Sequence, residues 1–488
     1  MGDDHNDWLD TTLQPLKTPP RHDWASAQDV QRRGSRRRQR RIAAASGGTG
    51  VALALVLVIA LVSSSGGDNT RAPAKETLAS HVQAIAGPDG SVHLVADVSG
   101  TSKQVSDAGI SAVALAEEAF AMQLTREELA SSSSNNVLLS PMSADIDLAM
   151  LQLGSAGATT EEIATALQST GLSSSEQAKG WSDLVQQLMA AESSGELHLA
   201  NSLWVDKDIT VQPQFLRGAA LTFGDDTYQV DFAKSSATQA INAWVDQETA
   251  GHIKQLYTPT ELAAATELVL ANALHFHAAW QHGLFQDASV EPEPFFTPAG
   301  TRESVSMVVD RGTQDSFLAS STSGYEAVQI PYTNGRFSAL LVEPTSGTMS
   351  SFLRTLSPQR LAALTSGLRT EFINLSMPVL HLSARDSLDD PLSAMGMARA
   401  FEAADFTPML GTLGAANQAV GSVQQAASLD VNRWGTDAAA ATGATVISTA
   451  AHASSGTFAF NHPYLFLLRD TRTGAILFSS VVNNPAAG

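Results

Sequence analysis

Seventeen consecutive residues near the end of the chain, GTDAAAATGATVISTAA (Gly435–Ala451), contain no side chain larger than isoleucine and a single charge, Asp437. From Asp437 to Thr457 the chain also lacks Lys, Arg, Pro, Phe, Tyr and Trp. A run of four alanines favours helix, but Gly443 and the β-branched Thr442, Thr445, Val446 and Ile447 interrupt any helical stripe. Two states remain open. Small and β-branched residues without proline make a good buried strand. The alternative is a surface loop of more than twenty residues, a length that accompanies function or disorder. A segment able to be either is what a switch that inserts into a sheet requires.

With 488 residues, 43% of them hydrophobic and 16% charged, the chain has material for a large core. Cysteine is absent, which excludes disulfides, thiolate zinc sites, cysteine nucleophiles and a lipidated-cysteine anchor. The net charge of −20 is unevenly spread. Residues 1–41 hold nine Lys/Arg against six Asp, with seven of the basic residues in Arg32–Arg41. The next 21 residues, IAAASGGTGVALALVLVIALV (Ile42–Val62), carry no charge. At a rise of about 1.5 Å per residue they make about 30 Å of helix, the thickness of a bilayer core. Arginines before this run and SSSGGD after it orient the N-terminus to the cytoplasm and the remainder outside. We therefore read 1–41 as a disordered cytoplasmic tail and 42–62 as a single transmembrane signal-anchor helix. The helix is retained, since no clean Ala-x-Ala site follows it. Residues 63–107 read as an extracytoplasmic stalk, within which SVHLVADV is suited to a strand, and 108–488 as the folded domain. The arginines are topology signals, and no nucleic-acid partner is expected.

Within the folded part, ISAVALAEEAFAMQLTREEL, SADIDLAMLQLGSAG and TTEEIATAL have apolar residues at helical spacing. ATQAINAWVDQETAG is a further helix, ended by Gly251. TELVLANALHFHAAW reads as a long buried strand, and FSALLVEP, EFINLSMPVLHLSA and AASLDVN alternate as strands. FNHPYLFLLRD and AILFSSVV form a hairpin across DTRTG. Helices gathered early and strands dominating late make an α+β domain on large sheets.

The chemistry of an enzyme is missing. The chain has no G-x-S-x-G, H-E-x-x-H, G-x-x-x-x-G-K-[ST] or G-x-G-x-x-G motif. His275 and His277 would face the same way on a strand and could chelate a metal. With no third ligand placed by sequence, they read as packed or half-exposed histidines, and neither metal nor cofactor is expected.

Six ordered segments resemble one family, the serpins. NVLLSPMSADIDLAMLQLGSAGATTEEI is similar to the family's Asn-x-x-x-Ser-Pro segment, with Ser140, Pro141, Ser143, Gly154 and Gly157 in register. LANSLWV follows with Asn201, and INAWVDQETAGHI resembles the Ile-Asn-x-Trp-Val helix with Asn242, Trp244, Thr249 and Gly251. TELVLANALHFHAAW supplies Asn272 and Trp280, and MGMARAFEAADFTPM supplies Phe401, Ala404, Asp405 and Phe406. FNHPYLF and ILFSSVVNNP match the C-terminal strands. The resemblance spans roughly Ser106 to the C-terminus.

The resemblance implies three β-sheets, about eight or nine helices and an exposed reactive-centre loop, here behind one transmembrane helix, in a monomeric, bacterial, membrane-anchored member. It implies a suicide-substrate inhibitor, not an enzyme, whose partner is a serine protease held as the acyl-enzyme. Serpins are the type example of a loop that inserts into a sheet. Gly435, Thr436 and Asp437 then form the loop hinge with Ala438, Ala439, Ala440 and Ala441, whose small side chains have to slide between existing strands. Ser140, Ser143, Asn272, Trp280 and Gln425 control the sheet. Counting fourteen residues from Gly435, the family's usual hinge spacing, gives Thr449–Ala450 as the reactive bond; counting back from Pro463 points near His452. Small residues there imply an elastase-like or subtilisin-like target, and the absence of Arg or Lys disfavours a trypsin-like one. The chain departs from the family at Arg433 and Trp434, where acidic residues are usual, and at Gln425, where histidine is common. A non-inhibitory serpin acting as an extracellular carrier is the alternative.

Overall fold

The computed structural model describes residues 82–87, 90–96, 107–132, 136–191, 196–224, 226–262, 266–282, 284–311, 315–411, 416–438 and 453–487. The segments read as tail and membrane anchor, the alanines 439–441, the bond Thr449–Ala450 and His452 lie outside the described residues. Among the described residues no helix is long and apolar enough to cross a membrane.

Expected helices form where the apolar spacing places them: Asp107–Ser131, Pro141–Leu153, Gly157–Ala166 and Ser235–Glu248. Pro141–Leu153 starts with proline at its first turn, where the missing N–H is harmless, and its first eleven residues are buried. Asp107–Ser131 packs against Ser174–Ala191 at a point where both backbones carry glycine. A Cβ on Gly180 would lie 2.8 Å from the Gly109 carbonyl oxygen, so a larger residue would force the helices apart.

Nine strands form one split layer: β1 (Val82–Ala86), β2 (Val92–Ala96), β3 (Leu197–Asp206), β4 (Asp226–Val230), β5 (Leu268–Phe276), β6 (Ala278–Ala279), β7 (Leu380–Ser387), β8 (Gln424–Asn432) and β9 (Gly435–Thr436). One half has the order β1-β2-β4-β3-β5 and the other β7-β8-β9-β6. The SVHLVADV segment thus supplies β2, which pairs with β1 and extends the layer beyond β4. β5 and β8 run parallel and meet through a single bridge, Leu270–Val423.

A seven-stranded sheet contains the C-terminal hairpin Tyr464–Asp470 and Ile476–Val482, every residue of which is buried. A four-stranded sheet holds Gly456–Ala459 parallel to Ile373–Pro378. The chain therefore leaves the split layer at 438 and rejoins the fold on a different sheet at 456. Counting the split layer once leaves three large layers plus a ribbon of Ala404–Asp405 with Ala416–Gln418. The described residues form ten α-helical segments, more than the eight or nine expected, because turns as short as Asp389–Leu392 and Thr407–Leu410 are included.

Burial has a measurable electrostatic consequence at Glu343, the last residue of strand Phe337–Glu343. Burial pushes its carboxyl up to about 7, against a hydrogen bond donated by the His462 backbone N–H. A carboxyl with a folded pKa above its unfolded value of 4.5 leaves the native state unaffected at low pH and destabilises it as pH rises through 4.5 to about 7. Glu343→Gln is therefore expected to stabilise the protein by about 2 kcal/mol at pH 8 and hardly at all at pH 4. Thermal melts at the two pH values check this, and an equal gain at both would refute it.

Candidate functional site

The split layer closes around the start of the small-residue segment. After β8 the chain turns at Arg433–Trp434 and returns as β9, antiparallel to β8 through Val431–Thr436 and Asn432–Gly435. The other edge of β9 pairs with β6 through Gly435–Ala279 and Thr436–Ala278. Gly435 has φ +151°, and a Cβ there would lie 2.1 Å from the Ala278 carbonyl oxygen, so only glycine passes between these strands. Thr436 is buried and its hydroxyl lies 2.6 Å from that of Tyr332.

Trp280 latches this corner. Its ring stacks on Tyr332 at 4.5 Å, its backbone N–H donates to the Trp434 carbonyl and its indole N–H to the Asn432 carbonyl, both at 3.0 Å. The acceptors are backbone groups, which explains why Arg433 and Trp434 can stand where acidic residues are usual. Their side chains stack on each other at 4.0 Å, and the Arg433 guanidinium donates to the Ala288 carbonyl.

Asp437 follows with φ +49°, a left-handed conformation that Asp tolerates better than most residues. Its backbone N–H donates to the Asp430 carbonyl at 2.7 Å. Its carboxylate Oδ2 lies 2.8 Å from His275 Nε2, 3.2 Å from His252 Nε2 and 3.6 Å from His277 Nδ1. Burial raises the Asp437 pKa, but the hydrogen bond to His275 and the nearby His277 and His252 outweigh it and hold the carboxyl well below its usual range. Burial and the like charge of His275 push His252 down, whereas the nearby Asp437 carboxylate raises His277. His275 and His277 were thus legible as a pair. The groups that join them, His252 and Asp437, come from a helix exit and from a residue 162 positions later, and no local spacing signals either one.

The remaining residues expected to control the sheet fall into two groups. Gln425 on β8 accepts from the Ser140 N–H and donates to the Ser140 carbonyl, both at 2.8 Å, while the Ser140 hydroxyl lies 2.7 Å from that of Ser143. Asn272 on β5 instead donates to Asn201 on β3, and its own Oδ1 is buried without a protein partner. Gln425→Ala would orphan the backbone N–H of buried Ser140 and leave its carbonyl only the 3.3 Å bond from the Ala144 N–H, and we expect a loss of about 2 kcal/mol. A chemical-denaturation series would read it, and a loss no larger than that of a surface Gln→Ala control would contradict the assignment.

No described group in this region forms a nucleophile–base constellation; the arrangement holds the start of the small-residue segment between two strands. A family model described as Serpin (serine protease inhibitor) matches residues 115–485. Serpin-Z1C of Triticum aestivum is 31% identical over 372 residues, covering 72% of this chain and 91% of its own length. An uncharacterized serpin-like protein of Thermococcus kodakarensis is 31% identical over 369 residues, covering 74% and 83%. Among solved structures, native tengpin, a thermophilic serpin, has a TM-score of 0.68 at 22% identity over 79% of this chain and 96% of its own. Thyroxine-binding globulin in complex with thyroxine has a TM-score of 0.66 at 24% identity over 76% and 99%.

Proposed function

The chain belongs to the serpin family, a family of serine protease inhibitors and not of enzymes, and we propose that this member is itself inhibitory, a suicide-substrate inhibitor of serine proteases that traps the acyl-enzyme by inserting its loop between β5 and β8. The observation that carries this reading is the position of β9, already antiparallel between two strands that run parallel to each other.

Both pairings of β9 extend to a common register. Eight residues forward from Thr436 is Ala444; eight back from Val431 and from Ala278 are Val423 and Leu270, the pair that now bridges directly. A strand continued from the hinge would therefore replace that bridge with hydrogen bonds on both sides. Six residues along, the same register brings Thr442 between Gln425 and Asn272, where its hydroxyl would satisfy the orphaned Asn272 Oδ1. Ala438 and Ala440 would face the main core, and Ala439 and Ala441 the opposite side of the layer. Small side chains along the whole path keep steric and desolvation costs low. This sequence of matches favours trapping over the carrier role, which does not require a loop fitted to the gap.

The reactive bond is Thr449–Ala450 in this reading, the target has a shallow primary pocket, and residues 42–62 anchor the inhibitor in a membrane with its serpin domain outside. The test mixes the chain with an elastase-like and a subtilisin-like serine protease and follows denaturing gels and the mass of the released C-terminal peptide. A band surviving denaturant at the summed mass supports trapping, and a peptide starting at Ala450 supports the bond. Cleavage without that band across a broad protease panel would move the assignment to a carrier. Recovery of the full-length chain only in the soluble fraction would overturn the anchor.

A further inference from the structure

We propose that His252, His275 and Asp437 form a binding site for a zinc-class divalent cation, and that the bound cation holds the loop hinge in its uninserted conformation. The second half of this proposal rests on the loop-insertion reading; the first does not.

The donor atoms of these three residues lie within 4.8 Å of one another. Zinc bound by imidazole nitrogen and carboxylate oxygen at about 2.0–2.2 Å puts neighbouring ligand atoms about 3.3 Å apart. The two contacts to Asp437 Oδ2, 2.8 Å from His275 and 3.2 Å from His252, are already near that spacing. The His252 and His275 rings stand face to face at 4.3 Å, so a modest rotation of His252 turns both Nε2 atoms toward one point. His277 Nδ1 lies 3.6 Å from the same carboxylate oxygen but outside this three-residue cluster, so the three-ligand site leaves its fourth position to water. Two imidazoles with one carboxylate suit zinc, cobalt or nickel, whereas calcium and magnesium prefer oxygen ligands.

The site stands on fixed supports. His275 belongs to β5, and Asp437 is held by its N–H bond to Asp430 directly after β9. His252 sits in a turn that Thr249 closes, its hydroxyl donating to the Val245 carbonyl at 2.8 Å and accepting from the Ile253 N–H at 3.0 Å.

The link to the loop lies in the backbone of Asp437. Its φ of +49° aims the carboxylate at His252 and His275. As a residue of an inserted antiparallel strand it would take an extended φ of about −140°, and its side chain would leave that position for a place beside His277. A cation that needs the present geometry binds the uninserted state more tightly, and so slows insertion.

The test uses the full-length chain stripped by a chelator, with Zn²⁺ alone as the probe, titrated in competition with a chromophoric chelator. We expect one Zn²⁺ per chain with Kd on the order of 1–10 μM. His252→Ala and His275→Ala should each weaken binding at least about tenfold, while His462→Ala, on the strand entry beside Glu343, should leave it unchanged. No Zn²⁺ bound tighter than about 100 μM, or undiminished binding in both variants, would overturn the site. His252 is part-exposed, so its variant remains informative if His275→Ala fails to fold. The second arm nicks the loop with a protease and follows the gain in heat resistance that insertion confers. Zn²⁺ should slow that gain at least about fivefold in the parent chain and not in His252→Ala. Binding without slowing overturns the regulatory half alone. A nicked chain that gains no heat resistance in the absence of Zn²⁺ counts against loop insertion itself, while the titration still decides the metal site.

Discussion

Ala440→Asp is expected to convert the protein from a trap into a substrate. Four residues along the register from Thr436, position 440 falls opposite Leu274 and Ala427, which are 6% and 3% exposed and belong to the main core. In the proposed insertion, alanine would enter that site at little cost in volume or solvation. A carboxyl there has no partner, and burying an unpaired polar group costs about 2–7 kcal/mol. Insertion competes with hydrolysis of the acyl-enzyme, so even about 3 kcal/mol on the insertion step slows it more than a hundredfold. The loop should then be cut at the same bond, with the denaturant-stable complex nearly absent and the ratio of cleaved chains to trapped protease up at least about tenfold. Densitometry of both products in one reaction measures this. Undiminished complex would mean that position 440 does not enter the core, and the register deduced from β9 would be wrong.

Trp280→Ala should have the largest effect on the uninserted protein. The ring is 4% exposed, stacks on Tyr332 and lies near Phe285, and its two N–H groups hold the carbonyls of Trp434 and Asn432. Truncating a buried tryptophan costs about 3–5 kcal/mol, enough to lower the unfolding midpoint by about 5–10 °C. The backbone N–H survives the substitution, so Trp280→Phe separates the contributions: it keeps most of the packing and loses only the indole bond, worth about 1 kcal/mol. Differential scanning calorimetry of the two variants checks the order. If Trp280→Phe were as damaging as Trp280→Ala, the latch would be the hydrogen bond and not the packed ring.

Both outcomes turn on contacts between parts of the chain that sequence reading treats separately. The helix Pro141–Leu153 and the hairpin Tyr464–Asp470 with Ile476–Val482 were legible because each carries its own signal, a proline start before an apolar stripe in one and two apolar runs across a turn in the other. The long apolar strand was also legible, but its break at His277, which separates β5 from β6, was not. Gln425 and Asn272 were both expected among the residues that control the sheet. The partners of Gln425 are the backbone N–H and carbonyl of Ser140, 285 residues away, whereas Asn272 donates to Asn201.

By itself the sequence determined the local elements, the order of the family's motifs and the small-residue segment that can exist as loop or strand. These follow from periodicity, side-chain volume and charge, which act over a few residues. Only the tertiary structure decided that Gly435 and Thr436 already lie between β8 and β6, that the gap beyond them is bridged once, and that His252 reaches Asp437 alongside His275. Those facts depend on which distant strands become neighbours and in what register, and chain spacing carries no record of either.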